Sequence, residues 1–407
     1  MIKIKASHRY LLSVFLVSLA IFIPIFLAVT KNNQSKSNSQ APMAVQEKIK
    51  EPSPAPPAEE KAASERHIGA WVTYMDLNIS DSENTESAFK SRFESVIEKS
   101  KRFHVNNLYV HVRPFCDSLY PSKIFPWSHL LTGTQGKNPG FDPLKYMIET
   151  SHQNGIKFHA WVNPLRVKLK NMPEELSSEN PYYKLGSFKY FMECEGAVCL
   201  NPGFEETRNL VLEGIKEIIS NYDVDGIHFD DYFYPESTEI KDYAMEENQV
   251  SDVFAWRKKC ITKLIEETHS VVKSANKNIE FGISPLGNNE KCHAMGIDAQ
   301  ELCKMKVIDY ICPQLYWSLK YKVMPFEKAA KTWEEMTKNT GVKLFGGLAL
   351  YKIGTELDDK TWQDDKNILP KEIEILENLG YDGAILYSFG QLDESKEEIS
   401  NLLKKLS

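Results

Sequence analysis

The stretch DVDGIHFDDYFYP (residues 223–235) decides how the chain folds. A strand of a parallel sheet, buried on both faces, is normally a run of Val, Ile and Leu. This one begins among acids, passes through Gly226, Ile227, His228 and Phe229, and ends in Asp230, Asp231 and three aromatic rings. Acids closing an otherwise buried strand place that end in a cleft.

Outward from this stretch, the chain from His67 onward alternates short β-rich runs with longer amphipathic ones. The strand candidates are HIGAWVTY (67–74), NNLYVHVRP (106–114), IKFHAWVNP (156–164), DGIHFDDY (225–232), IEFGISPLG (279–287), IDYICPQLYW (308–317), KLFGGLALY (343–351) and GAILYSFG (383–390). Helical patterns lie between them, for example at 204–222 and 253–275, and Asn154-Gly155 and Leu379-Gly380 supply helix stops. Strict alternation implies a parallel sheet, and its count predicts a (β/α)8 barrel with enlarged βα loops over residues 66–407. The rival, an open doubly wound sheet, would show a Gly-rich phosphate turn after its first strand; AWVTYMDLN has none.

The strands start apolar or with Asp/Asn and finish polar or aromatic, and barrel active sites gather at C-terminal strand ends. Side chains alternate along a strand. On the fourth strand, Ile227 and Phe229 therefore face the helices while His228 and Asp230 point inward. The same parity turns His111 and Arg113 inward on the second strand, and His159, Trp161 and Asn163 inward on the third. Carboxylates ringed by Trp71, Trp161, Tyr232, Tyr234, Tyr316, Trp317 and Tyr351 suit sugar, because aromatic faces stack on pyranose rings and carboxylates cleave glycosidic bonds. Ordinary core packing is the plainer reading of any one of these rings.

Asp230 is the principal catalytic candidate and Asp231 its first-choice partner, with Asp117 and Glu290 in reserve. Against this, Asp230 could simply pair with Arg113 or Arg166, and Asp231 could cap a turn. Arg113, Asp117, His159, Asn163, Arg166, His228 and Gln314 are expected to orient substrate, with Trp161, Tyr232, Tyr316, Trp317 and Tyr351 as sugar subsites. His228 also reads as a hydrogen-bonded core histidine. A metal centre built from His111, His159, His228 and Asp230 ranks third, since the first strand lacks His-x-His and no H-E-x-x-H occurs. No G-x-S-x-G elbow or P-loop is present, and no cofactor is expected.

The N-terminal part is of a different kind. Residues 1–9 carry Lys3, Lys5, His8 and Arg9, and residues 10–29 are an uncharged, mostly apolar run. Its length and basic flank predict a signal anchor with a cytoplasmic tip, a cleaved signal peptide being the alternative. Residues 30–65 read as a disordered Pro/Ser/Lys/Glu-rich linker. The barrel is thus expected outside the cytoplasm, membrane-tethered or secreted. A net charge of −7 argues against nucleic acid as a partner. Seven cysteines are too few for a disulfide scaffold, although Cys194 and Cys199 lie close enough in sequence for a small bridge.

Several long motifs now align with a known family. Residues 106–167, beginning NNLYVHVRPFCDSLYPS, together with LNPGFEETRNLV, VDGIHFDDYFYP, FGISPLG and IDYICPQLYW, resemble the glycosyl hydrolase-like 10 family, in order and over residues 66 to about 390. The resemblance implies a (β/α)8 barrel, export or envelope association, and hydrolysis of polysaccharide, with bacterial cell-wall glycan as the substrate class. DGIHFD also resembles the fourth-strand DGFRxD of amylase-like barrels, where Asp230 takes the nucleophile's place. The chitinase-type DGxDxDxE would put its acid where Tyr232 stands. After the fifth strand the chain departs from the family pattern, reading NNEKCHAMG and adding Glu290. A catalytically inactive carbohydrate-binding barrel, tethered to the cell surface, is the alternative to a glycosidase.

Overall fold

The computed structural model describes residues 66–81, 84–194, 196–230, 233–235, 237, 239–363 and 365–407. Within them all eight expected strands form: β1 (His67–Val72), β2 (Asn107–Arg113), β3 (Lys157–Val162), β7 (Gly226–Phe229), β8 (Glu280–Ile283), β9 (Tyr310–Ile311), β10 (Lys343–Ala349) and β11 (Gly383–Tyr387). Strands β4 (Arg166–Leu169), β5 (Phe191–Cys194) and β6 (Ala197–Leu200) lie in the connection after β3. The barrel closes in the order β1-β2-β3-β7-β8-β9-β10-β11, with parallel pairing throughout. The anchor and linker expected at residues 10–65 lie outside the described residues. Among the described residues no helix is long and apolar enough to cross a membrane.

Each barrel strand is followed by a helix: α1 (Glu86–Arg102), α2 (Pro143–Gln153), α3 (Glu205–Asn221), α4 (Val253–Ala275), α5 (Ala299–Met305), α6 (Phe326–Thr337), α7 (Ile368–Asn378) and α8 (Glu397–Leu406). Local chemistry fixes their ends. Asp142 caps α2 by accepting from Lys145 N, with Pro143 in the first turn, and Asp252 caps α4 through Phe254 N and Ala255 N. On α4 the buried residues Trp256, Cys260, Ile261, Leu264, Ile265, Thr268 and Val272 form one stripe toward the sheet. Gly155 and Gly380 take φ of 71° and 76°, the left-handed turn that ends α2 and α7.

The Asp/Asn residues at strand starts have a structural task. Asn106 Oδ1 accepts Ile68 N (3.0 Å), Asp225 Oδ2 accepts Phe158 N (2.8 Å), Asp309 Oδ2 accepts Phe281 N (2.7 Å), and Asp382 Oδ2 accepts Leu344 N (2.8 Å). Each clasps the start of the preceding barrel strand, so every second seam is clamped at the N-terminal rim. Above this rim the interior is filled by rings: His67 stacks on Phe345 (4.0 Å, 13°), and Tyr109 stacks on His159 (4.5 Å, 20°) and meets Tyr310 edge-on. A packed interior leaves the C-terminal rim as the place for a site.

The connection after β3 is the departure from a plain barrel. It folds into an antiparallel sheet of order β4-β6-β5, which the sequence pattern did not announce. Cys194 and Cys199 sit on this hairpin but are not opposite each other: Cys194 pairs with Ala197 and Cys199 with Met192.

Candidate active site

Asp230 is the first residue beyond β7, at the C-terminal rim, and is 3% exposed. Two residues of the neighbouring strand hold it. Trp161 Nε1 donates to Oδ2 (3.0 Å), and Asn163 Nδ2 reaches both Oδ1 (3.1 Å) and Oδ2 (3.0 Å). Both partners are N–H donors, so the oxygens they hold act as acceptors. Asn163 is fixed in turn, because its Oδ1 accepts Arg166 N at 2.8 Å. Its amide orientation follows from this: oxygen toward the β4 backbone, nitrogen toward the carboxylate.

The layer below is a bonded aromatic network. Trp71 Nε1 donates to His228 Nε2 (3.0 Å). An indole can only donate, so Nε2 is the acceptor and the His228 proton lies on Nδ1, which donates to Tyr310 Oη (2.9 Å). The Ser284 hydroxyl meets the same Nε2 at 3.1 Å. Burial, then the proximity of His159, holds the His228 pKa well below the usual histidine range. It is a neutral, fully buried prop of the barrel and not a group at the rim, which corrects its expected place among substrate contacts.

Three further expectations are corrected. His159 lies deeper still, fully buried, with Nε2 bonded to Asn107 Oδ1 (3.3 Å) and its pKa lowered by burial to about 3. A Cβ on Gly226 would collide with its Nδ1, so glycine at the start of DGIHFD makes room for this ring. Arg113 points outward. The β2–β3 register shifts between His111 and Arg113, so the alternation that turns His111 inward is broken one step later. The guanidinium packs over Phe125 (4.6 Å) and against the backbone of Gly214 on α3, where a Cβ would clash with Nη1. Trp71, expected in the aromatic wall, is 1% exposed inside the barrel.

Asp117 and Glu290, the reserve acids, have other surroundings. Asp117 is fully buried, accepting from Phe115 N (3.2 Å) and Gln135 Nε2 (3.3 Å), with His129 Nδ1 at 3.5 Å. Glu290 is exposed on the short helix after β8. Asp231 and Tyr232 lie outside the described residues. Arg166 donates from Nε to Pro114 O (3.0 Å) and lies over Phe115 (5.0 Å). Cys199 of β6 is close enough to Arg166 and Asp230 for both charges to act on its thiol, which burial pushes up to about 12. β4 adjoins the site through Arg166, whose backbone N–H donates to the Asn163 side chain that holds Asp230.

Across the rim, Tyr316 stacks on Tyr387 (5.6 Å, 25°), and Tyr351 meets both rings nearly edge-on (5.8 Å each). All three are half-buried, as are Gln314, which donates to Ser284 O (3.2 Å), and Trp317, which packs on Gly287. Tyr387 was missed in the sequence, although its parity with Ile385 on β11 signals it. Among the described residues no three His, Cys, Asp or Glu side chains converge to hold a metal ion. His111, His159 and His228 occupy different places in the aromatic stack rather than one centre.

The site thus sets a buried carboxylate at the rim of a barrel, with aromatic rings across the same rim. The family model Glycosyl hydrolase-like 10 matches residues 69–364. The chain belongs to the glycosyl hydrolase-like 10 family. Glycosyl hydrolase YngK of Bacillus subtilis (strain 168) is 30% identical over 375 residues, 84% of this chain and 72% of that protein. Glycosyl hydrolase DigH of Escherichia coli (strain K12) is 31% identical over 338 residues, 74% and 76% of the two chains. Among solved structures, the PgaB (BpsB) glycoside hydrolase domain from Bordetella bronchiseptica superposes with a TM-score of 0.58 at 12% identity, covering 83% of this chain and 98% of that one. Alpha-L-fucosidase isoenzyme 2 from Paenibacillus thiaminolyticus gives 0.58 at 16% identity, covering 83% of this chain and 48% of that one. At such identities these structures speak for the barrel alone. For this glycosyl hydrolase-like 10 member, the site rests on its own geometry.

Proposed function

We propose that this chain is an exported glycosidase that cleaves polysaccharide, bacterial cell-wall glycan in particular, with Asp230 as its principal carboxylate and Asp231 as the partner acid. The observation that carries the reading is the holding of Asp230: a buried carboxylate at a barrel rim, oriented by Trp161 Nε1 and Asn163 Nδ2. In glycosidic cleavage one carboxyl protonates the leaving oxygen, while the other attacks the anomeric carbon or activates water. Asp230 takes the second role, since its held oxygens present electron pairs. The half-buried rings Tyr316, Tyr351 and Tyr387 receive sugar faces, and Gln314 and Trp317 edge the same rim. The basic tip, the apolar run 10–29 and the polar linker 30–65 support an extracytoplasmic barrel, membrane-tethered or released by cleavage.

The test uses the full-length chain purified in mild detergent, incubated with peptide-free peptidoglycan glycan strands, with new reducing ends followed by mass spectrometry. Asp230→Asn should lower the rate by about 10²–10⁴-fold while the protein stays folded. Binding without cleavage by the wild type, across several polysaccharides, would replace the glycosidase with a tethered binding barrel.

A further inference from the structure

One polar side chain in the floor of the site is unaccounted for by the barrel's own bonding. His111, on β2, is 1% exposed, and neither Nδ1 nor Nε2 has a hydrogen-bond partner. A neutral imidazole carries one donor and one acceptor, and buried groups of this kind are normally satisfied. The other interior histidines differ. His228 uses both nitrogens, and His159 uses one, its Nδ1 being unpartnered against Gly226, so only His111 among these three has both nitrogens unmet.

The position of His111 gives the unmet pair a meaning. Its ring is stacked on Trp161 at 3.9 Å and 10°, and Tyr74 meets it edge-on at 5.4 Å. Trp161 is the indole that donates to Asp230, so a single ring separates the imidazole from the carboxylate. Burial, then the charge of Arg166, keeps the His111 pKa well below the usual range, so the ring is neutral. At 1% exposed, His111 is more enclosed than Asp230 (3%) or Trp161 (6%), so a sugar reaches its edge only when the side chains covering it shift. A phenylalanine would keep both ring contacts without burying two unmet polar atoms. Packing alone therefore does not call for histidine here.

Resting on the glycosidase reading, we propose that His111 is a substrate-binding residue of this site. Its imidazole donates to and accepts from a hydroxyl or acetamido group of the sugar seated against Trp161 and Asp230. The ring forms no covalent bond and transfers no proton; its contribution is orientation and the selection of a sugar with a polar group at that position.

The experiment compares wild type, His111→Phe and His111→Gln, all full-length, by thermal midpoint and by kcat and KM on peptide-free glycan strands. His111→Phe should melt at or above the wild-type temperature yet lose about 10–100-fold in kcat/KM, as expected for one or two lost hydrogen bonds. His111→Gln, which restores a donor and an acceptor without the ring, should recover part of that loss. A His111→Phe protein that cuts like wild type would overturn the proposal and leave the glycosidase reading intact. A wild type that cuts no glycan would overturn the glycosidase reading, and this proposal with it. Should the Phe variant fail to fold, ring ¹⁵N resonances of His111 in the Asp230→Asn protein carry the test. They shift when glycan is added if the contact exists, and stay unmoved if it does not.

Discussion

Glu372 on α7 should make the protein lose stability as pH rises. Its side chain is fully buried, neither carboxyl oxygen has a hydrogen-bond partner, and burial raises its pKa well above the usual carboxylate range. Lys352 is the charge that offsets this in part, but the Lys352 ammonium is engaged elsewhere, donating to Tyr316 O (2.7 Å) and to both Asp358 oxygens (3.2 and 3.0 Å). Glu372 is therefore a neutral acid in the native state. In the unfolded chain it ionises near its ordinary value of 4.5. Between that value and the raised native one, the native state holds a proton that the unfolded state has released. Stability contributed at low pH is then lost as pH rises, at up to about 1.4 kcal/mol per pH unit. Glu372→Gln keeps the shape and removes the titration. Its stability relative to wild type should grow as pH rises above the unfolded value, until the native carboxyl itself ionises. Urea unfolding of both proteins at matched ionic strength measures this, and the difference cancels all other titrating groups. A pH-independent difference would refute the reasoning, and would mean that the native carboxylate is ionised against Lys352.

Other predictions follow the same geometry. Trp161→Phe leaves a six-membered ring against His111 but removes the N–H held to Asp230 together with part of the indole's volume; losing the hydrogen bond to the carboxylate, about 1.5–3 kcal/mol, should lower kcat/KM about 10–150-fold, and the smaller ring should also lower the melting temperature. Arg113→Met should leave kcat and KM within about twofold of wild type, because the guanidinium faces Phe125 and Gly214 rather than the rim; a large rise in KM would contradict the outward placement. Asp382→Ala, which frees Leu344 N at the opposite rim, should cost about 1–3 kcal/mol in denaturation without altering the pH–rate profile.

The sequence carried the direction of side chains better than their height. Parity turned His111, Trp161, Asn163, His228 and Asp230 inward, and the structure has them there. Parity cannot say which of two inward residues on a strand meets the rim, however, so His159 and His228 read like Asn163 and Asp230 although they lie one or two layers lower. Arg113 was lost for another reason. Alternation assumes a regular ladder, and the register shift after His111 displaces the count with no mark in the residue types. The β4-β6-β5 sheet was illegible because its short strands sit inside one long connection, with no long helix between them to continue the β/α rhythm that marked the barrel strands.

Within DVDGIHFDD, two acids five positions apart show how one strand divides its labour. Asp225, before β7, accepts Phe158 N and the His152 ring, and so ties the start of one strand to its neighbour. Asp230, after β7, is bonded by side chains of that same neighbour, Trp161 and Asn163, rather than by its backbone. The distinction is physical. A carboxylate engaged with a backbone amide is committed to the ladder, whereas one carried by side chains at a rim can be aimed by changing those side chains without disturbing the barrel. The β3 strand thus serves both acids, offering its first residues' backbone to Asp225 and its last side chains to Asp230. A register slip of β3 against β7 would break both sets of bonds at once, so the pairing that holds the barrel closed also fixes the aim of its carboxylate.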